Sequence, residues 1–127
     1  MGILLVEDNE ILAKGIIYSL EQEKFEVIHK TNAKETIKFL ERKKTKLIIL
    51  DISLPDGNGF DLYEKNIKDK NIPTIFLTAK DDEDEIVKGL EAGAEDYITK
   101  PFSIRELIAR INKILLRNKK NSIIKLK

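Results

Sequence analysis

Five polar side chains follow directly on short apolar runs, and their types could do chemistry together. Glu7 and Asp8 come after Ile3–Val6, Asp51 after Leu47–Leu50, Thr78 after Thr74–Leu77 and Lys100 after Asp96–Thr99. Any one alone reads as a solvated turn or cap residue. Together they make three carboxylates, a hydroxyl and an ammonium. Clustered carboxylates repel one another, and their pKa values rise unless a cation intervenes. Lys100 supplies one positive charge and leaves a net −2 if all are ionised. A hard divalent cation balances that, and Mg²⁺, which keeps several waters, suits a pocket with few protein ligands. Such a site points to phosphoryl chemistry. With no Cys, and with the one His at position 29 on another run, the nucleophile candidate is an Asp. Asp51 ends the most apolar run and is the first choice.

The elements that must position these residues alternate in kind. Short β-rich runs occur at Ile3–Val6, Phe25–Ile28, Leu47–Leu50, Thr74–Leu77 and Asp96–Thr99. Between them apolar residues recur at helical spacing: Ile11, Leu12, Ile16 and Leu20, then Ala33, Ile37 and Leu40, then Phe60, Tyr63 and Ile67. Ile86, Leu90 and Ala94 mark a fourth helix, and Ile104, Leu107, Ile108, Ile111 and Leu115 a fifth, with Ser103-Ile-Arg-Glu106 as its capping box. Five strands alternating with five helices predict an α/β fold with a parallel sheet covered on both faces. The more polar fifth strand belongs at an edge. In open α/β sheets ligands bind outside the carboxyl ends of the strands, where the five polar residues fall. A hydrolase of the haloacid-dehalogenase type carries a second acid two residues after its nucleophile. Here that position is Ser53, so a phosphoaspartate should persist, which suits a switch better than a catalyst.

Composition excludes several classes. The length of 127 residues fits one domain with a single core, and 42% hydrophobic against 35% charged residues is globular. Without Cys there is no disulfide framework and no thiolate metal site. The apolar runs are too short to span a bilayer, and the N-terminus has no basic region, so the expectation is a soluble cytoplasmic protein. Position 6 is Val, which breaks a myristoylation motif. The net charge of +1 argues against a dedicated nucleic-acid binder, but residues 110–127 hold seven cations and no acid. Asn118–Ser122 reads as a domain end, and Ile123–Lys127 as an apolar-basic alternation.

Over residues 2–118 the chain resembles a response-regulator receiver domain, CheY-like and most similar to the OmpR/PhoB-type transcriptional regulators. The segments that carry the likeness are Ile3-Leu-Leu-Val-Glu-Asp8, Leu50-Asp-Ile-Ser-Leu-Pro-Asp-Gly-Asn-Gly59, Leu77-Thr-Ala79 and Tyr97-Ile-Thr-Lys-Pro-Phe102. The resemblance implies a doubly wound, flavodoxin-like sheet of order 2-1-3-4-5. It implies that Asp51 accepts a phosphoryl group from a sensor histidine kinase, and that Asp8 and Asp51 bind Mg²⁺ directly, Glu7 through water and Ser53 through its backbone carbonyl. Lys100 would pair with the phosphoryl oxygens and Thr78 would donate its hydroxyl to them. Tyr97 would be the switch aromatic, and the Lys100–Pro101 bond would be cis. Ser53 and Lys80 occupy positions that tune phosphoryl lifetime.

The same resemblance implies a two-fold dimer of phosphorylated chains through helix four, strand five and helix five (α4-β5-α5). Lys88, Glu91, Asp96, Glu106, Arg110 and Arg117 would make the cross-subunit pairs Lys88–Glu106, Asp96–Arg110 and Glu91–Arg117. The plainer reading is a solvated face whose exposed pairs contribute little. Residues 119–127 would be a linker, or the first strand of a DNA-binding domain outside this chain. Two other readings stay open: a stand-alone receiver acting by partner binding or phosphorelay, and a Mg²⁺-dependent phosphohydrolase. His29 reads as a surface or sheet-edge residue, Gly57-Asn-Gly59 as a turn into helix three, and Asp81–Glu85 as the acidic start of helix four.

Overall fold

Runs of Ile, Leu and Val with no polar member must be covered on both faces, and here they are. The computed structural model describes residues 2–79, 83–100 and 102–126, with residues 83, 85, 86 and 118–126 described through their backbone alone. Five strands pair in parallel: β1 (Ile3–Val6), β2 (Val27–Lys30), β3 (Leu47–Asp51), β4 (Thr74–Ala79) and β5 (Asp96–Lys100). Their order is β2-β1-β3-β4-β5, as the resemblance implied, and β5 is an edge. The helices are α1 (Glu10–Gln22), α2 (Ala33–Arg42), α3 (Gly59–Leu62), α4 (Glu83–Glu91) and α5 (Ile104–Leu126). A π-turn, Tyr63–Ile67, and a 3-10 turn, Lys68–Lys70, continue α3.

Side chains alternate across each strand, so one run feeds two cores. Ile3, Leu5, Ile49 and Leu77 pack on one face with Ala13, Ile16 and Leu20 of α1 and Leu107, Ile111 and Ile114 of α5. Leu4, Val6, Ile48, Leu50 and Phe76 pack on the other with Leu40 of α2 and Leu62, Tyr63 and Ile67 around α3. Helix starts are fixed by side-chain oxygens that accept otherwise orphaned N–H groups. Asn9 accepts from Leu12, Asn32 from Glu35, and Asn58 from Phe60 and Asp61.

On the second face α4 sits unusually close to the sheet. A Cβ at Gly89 would come within 2.6 Å of the Phe76 ring, whose other neighbour is Tyr63, edge-on at 5.5 Å between centroids.

Several expectations are corrected. Strand two starts at Val27 rather than Phe25, because α1 ends in a Schellman turn with Lys24 at φ 71° and the Phe25 N–H donating to the Leu20 carbonyl. Ile11 is 85% exposed, and the inner face of α1 is Ala13, Ile16 and Leu20. Leu90 is 44% exposed and Ala94 lies beyond α4, which meets the sheet through Gly89 instead. The Ser103 capping box is half formed. Ser103 Oγ accepts from the Glu106 N–H, but the Glu106 carboxylate turns to Arg110. Residues 119–126, read from the sequence as a linker or the first strand of a further domain, continue α5 as helix. No Gly or Pro occurs after Pro101 to stop the helix. The Gly57-Asn-Gly59 turn is present and adds a two-residue hairpin, Ser53–Leu54 with Gly57–Asn58. Pro101 with its expected cis bond, Lys80, Asp81 and Asp82 lie outside the described residues.

Candidate functional site

Strand register brings the polar residues to one edge. Asp51 ends β3 opposite Leu77, Thr78 pairs with Thr99, and Lys100 ends β5 opposite Ala79. Glu7 and Asp8 follow Val6, which pairs with Leu50. The carboxylates of Glu7, Asp8 and Asp51 each offer an oxygen within 4.8 Å of the others. Glu7 and Asp51 are buried and Asp8 is exposed, so the pocket opens on the Asp8 side.

Lys100 bridges the two buried acids, with Nζ 2.9 Å from Glu7 Oε1 and 3.0 Å from Asp51 Oδ2. It donates a hydrogen bond to Asp51, whereas its contact with Glu7 Oε1 is an ion pair without hydrogen-bond alignment, and that buried oxygen accepts no hydrogen bond. The other oxygens are held by backbone: Asn9 N–H donates to Glu7 Oε2, and Ser53 N–H donates to Asp51 Oδ1, both at 3.0 Å. Burial pushes the Glu7 carboxyl up to about 7. The Asn9 N–H opposes this, Asp51 adds to it, and Lys100 counters it in part. Burial alone would lower Lys100, but Glu7 and Asp51 outweigh it and raise its pKa.

These residues fit a hard divalent cation. Three carboxylates converge around one ammonium, which leaves negative charge unbalanced, and one of them is reachable from solvent.

Thr78 is buried, and among the described residues its hydroxyl donates to the adjacent Ala79 carbonyl at 3.2 Å, a bond easily exchanged. Tyr97 is half-buried against the second core, paired in register with Phe76. Three contributors were not read from the sequence. Gly59 packs on the backbone of the acceptor strand, where a Cβ would stand 2.2 Å from the Asp51 carbonyl oxygen, and its N–H donates to the Ile52 carbonyl at 2.6 Å. Asp56 accepts from the Ala33 and Lys34 N–H groups at 2.7 and 3.0 Å, tying the loop after Asp51 to the start of α2 and lowering its own pKa. His29 lies on the edge strand as expected, but Nε2 is 2.7 Å from the Glu7 carbonyl and donates to it in the tautomer protonated there. Only Gly59 left a signal, as a glycine eight residues after Asp51 in a turn.

Residues 3–112 match the family described as the response regulator receiver domain. The chain belongs to that family. Among curated relatives, it is 42% identical to the alkaline phosphatase synthesis transcriptional regulatory protein PhoP of Bacillus subtilis and 41% identical to the phosphate regulon transcriptional regulatory protein PhoB of Pseudomonas aeruginosa. Each alignment covers 91% of this chain, and 49% and 52% of those proteins respectively. The sensory transduction protein RegX3 of Mycobacterium tuberculosis is 40% identical over 91% of this chain and 51% of its own length. The receiver thus spans about half the length of the curated relatives it matches. Among solved structures, a CheY-like receiver domain protein from Methanospirillum hungatei superposes with a TM-score of 0.88 at 32% identity, over 94% of this chain and 96% of the other. The non-phosphorylated HemR receiver domain from Leptospira biflexa gives 0.81 at 40% identity, over 88% and 91%. The resemblance to the PhoB type is borne out by these relatives.

On the receiver's α4-β5-α5 side the charged residues meet within one chain. Arg110 donates to Asp96 and to Glu106, the latter at 3.2 Å, and Asp96 first among these raises the Arg110 pKa. Arg117 pairs with Glu95, not with Glu91 of its own chain. Lys88 and Glu91 are exposed on α4. Among the described residues, no helix is long and apolar enough to cross a membrane.

Proposed function

We propose that this receiver is a phosphorylation switch, with Asp51 accepting the phosphoryl group from the phosphohistidine of a sensor kinase. One observation carries the reading: Asp51 is buried at the end of β3, one oxygen on Lys100 and the other on the Ser53 N–H, within ligand reach of Glu7 and Asp8. An Asp51 oxygen forms the new bond to phosphorus as the bond to the imidazole nitrogen breaks. Asp8, Asp51, the Ser53 carbonyl and, through water, Glu7 would hold Mg²⁺, which would supply charge neutralisation for the phosphoryl oxygens. Lys100 moves with its charge from the carboxylates to the phosphoryl group. Thr78 exchanges its weak bond to Ala79 for one to the same group, and Tyr97 turns into the space that Thr78 leaves.

Ser53, two residues past Asp51, gives no second acid to activate water, which supports a switch over a turnover enzyme. The switched surface is α4-β5-α5. There Asp96, Glu106, Arg110 and Arg117, paired within the chain, would exchange partners with Lys88, Glu91 and their counterparts across a two-fold axis. The likeness to PhoP and PhoB, named as transcriptional regulators, supports control of a DNA-binding domain beyond this chain.

Intact-mass measurement after incubation with acetyl phosphate and Mg²⁺ tests the acceptor. The expected result is addition of one phosphoryl group, abolished by EDTA and by Asp51→Asn. Full labelling of the Asp51→Asn protein at another carboxylate overturns the assignment. Sedimentation with and without beryllofluoride tests the dimer: activation should shift the wild type to a larger species, and Arg110→Ala should weaken that shift.

A further inference from the structure

The end of α2 and the connection to β3 place four cations in five residues: Arg42, Lys43, Lys44 and Lys46. With Lys70, from the turn that follows α3, they line a cavity of about 590 Å³. Lys46 precedes β3 and Pro73 precedes β4, so this cleft lies at the amino ends of the strands, away from Asp51. Glu41 is its one lining acid, giving five cations against one carboxylate in a chain whose total is +1.

Among the described residues, none of the five cations has a carboxylate within ion-pair distance, whereas Lys68, Lys100, Arg110 and Arg117 each do. The Lys46 ammonium stands instead over the Phe25 ring, 5.6 Å from its centroid. A helix C-terminus favours cations in its last turn, which accounts for Arg42 and Lys43 but not for Lys44, Lys46 or Lys70.

The walls that carry these charges are pinned. The Thr45 hydroxyl and the Lys46 N–H both donate to the Gly2 carbonyl, at 2.6 and 2.9 Å, and Thr45 is buried. On the opposite wall Asn71 holds a left-handed turn, and the Pro73 carbonyl accepts from the Ile48 N–H at 2.9 Å. The backbone beneath these cations is fixed, so an arriving anion has only their side chains to order. A concave site with this excess of cations also focuses its field on the bound charge.

We infer that this cleft binds a small molecule carrying several phosphate groups, of the chemical class of a nucleoside triphosphate. The volume lies in the range of small-molecule sites. A chain of phosphates can reach several of the cations that line the cleft, as one phosphate cannot, and Leu40, Ile72 and Pro73 add apolar lining for a nucleoside. A nucleic-acid duplex would need cations strung along its backbone rather than gathered in one hollow.

The test is an amide NMR titration of the full chain, free of Mg²⁺ and at low salt, with tripolyphosphate and with ATP. Saturable shifts are expected at residues 43–46 and 70–72, unchanged in Asp51→Asn. Lys43→Glu/Lys44→Glu should weaken binding about tenfold or more, and added salt should weaken it further. Equal affinity for the two probes supports the phosphate chain alone as the ligand, and tighter ATP binding supports a nucleoside on the apolar lining. Absent shifts, shifts confined to Glu7, Asp51 and Lys100, unaltered affinity in the double variant, or tighter binding of a short DNA duplex would each overturn the inference. If the charge-reversed protein does not fold, Lys44→Gln/Lys70→Gln carries the same test.

Discussion

Two clusters in this molecule share one design, a cation between two carboxylates, and differ in their surroundings. Lys100 stands between Glu7 and Asp51, and Arg110 between Asp96 and Glu106. The acid side chains of the first cluster are 0% and 5% exposed, those of the second 25% and 47%. Burial turns the first into a site where one acid is driven toward neutrality. Solvent screens the second, whose members can change partners at little cost. The same residue types therefore suit the proposed phosphoryl chemistry at the strand ends and the proposed exchange of partners on the α4-β5-α5 face.

The largest test of that contrast is removal of the cation. Lys100→Met leaves two buried carboxylates facing each other and should destabilise the metal-free protein by about 3 kcal/mol at pH 8, less at pH 5, by chemical denaturation. A loss that does not depend on pH would mean that packing of the Lys100 stem, not charge, dominates. Glu7 gives a second test with a definite sign. Its folded-state pKa, about 7, lies above the ordinary 4.5, so the folded protein binds more protons between these values. Metal-free stability should fall as pH rises from about 4.5 through about 7, by at most about 3 kcal/mol, and Glu7→Gln should flatten that slope. Mg²⁺ should bind more tightly as pH rises to about 7 and release protons below it, which calorimetry in buffers of different ionisation enthalpy reads directly.

Gly59→Ala probes how far the buried cluster depends on the hairpin beside it. Moving the Asp51 carbonyl away from a new Cβ should cost about 2 kcal/mol and slow phosphorylation from acetyl phosphate about tenfold. The smallest effect belongs to the exposed cluster. Arg110→Ala should change the unfolding free energy of the monomer by no more than about 1 kcal/mol. A loss as large as that of Lys100→Met would erase the distinction between the two clusters.

The site was readable because a parallel sheet delivers the residue after each apolar run to one edge. Glu7, Asp51, Thr78 and Lys100 needed only the short apolar runs and their alternation with helices. What was missed depended on contacts between distant segments. Nothing local marks Gly59 as lying on the Asp51 carbonyl, Asp56 as bonding the start of α2, or Glu95 as the partner of Arg117. Strand two slipped because Lys24 adopts a left-handed turn that sequence assigns to Gly or Asn. Ile11 and Leu90 were read inward because apolar type was taken for core position, whereas Ala13 and Gly89 are small residues that let helices approach the sheet.

The contact of Gly89 with Phe76 sets how motion passes through the molecule. Phe76 lies two residues before Thr78 on β4, and no side chain at 89 stands between its ring and the backbone of α4. A spacer of flexible methylenes would absorb a small shift of the strand, as a soft mounting does. Here the helix rests directly on a flat, stiff plate, steadied from behind by Tyr63, so a displacement of β4 reaches α4 undamped.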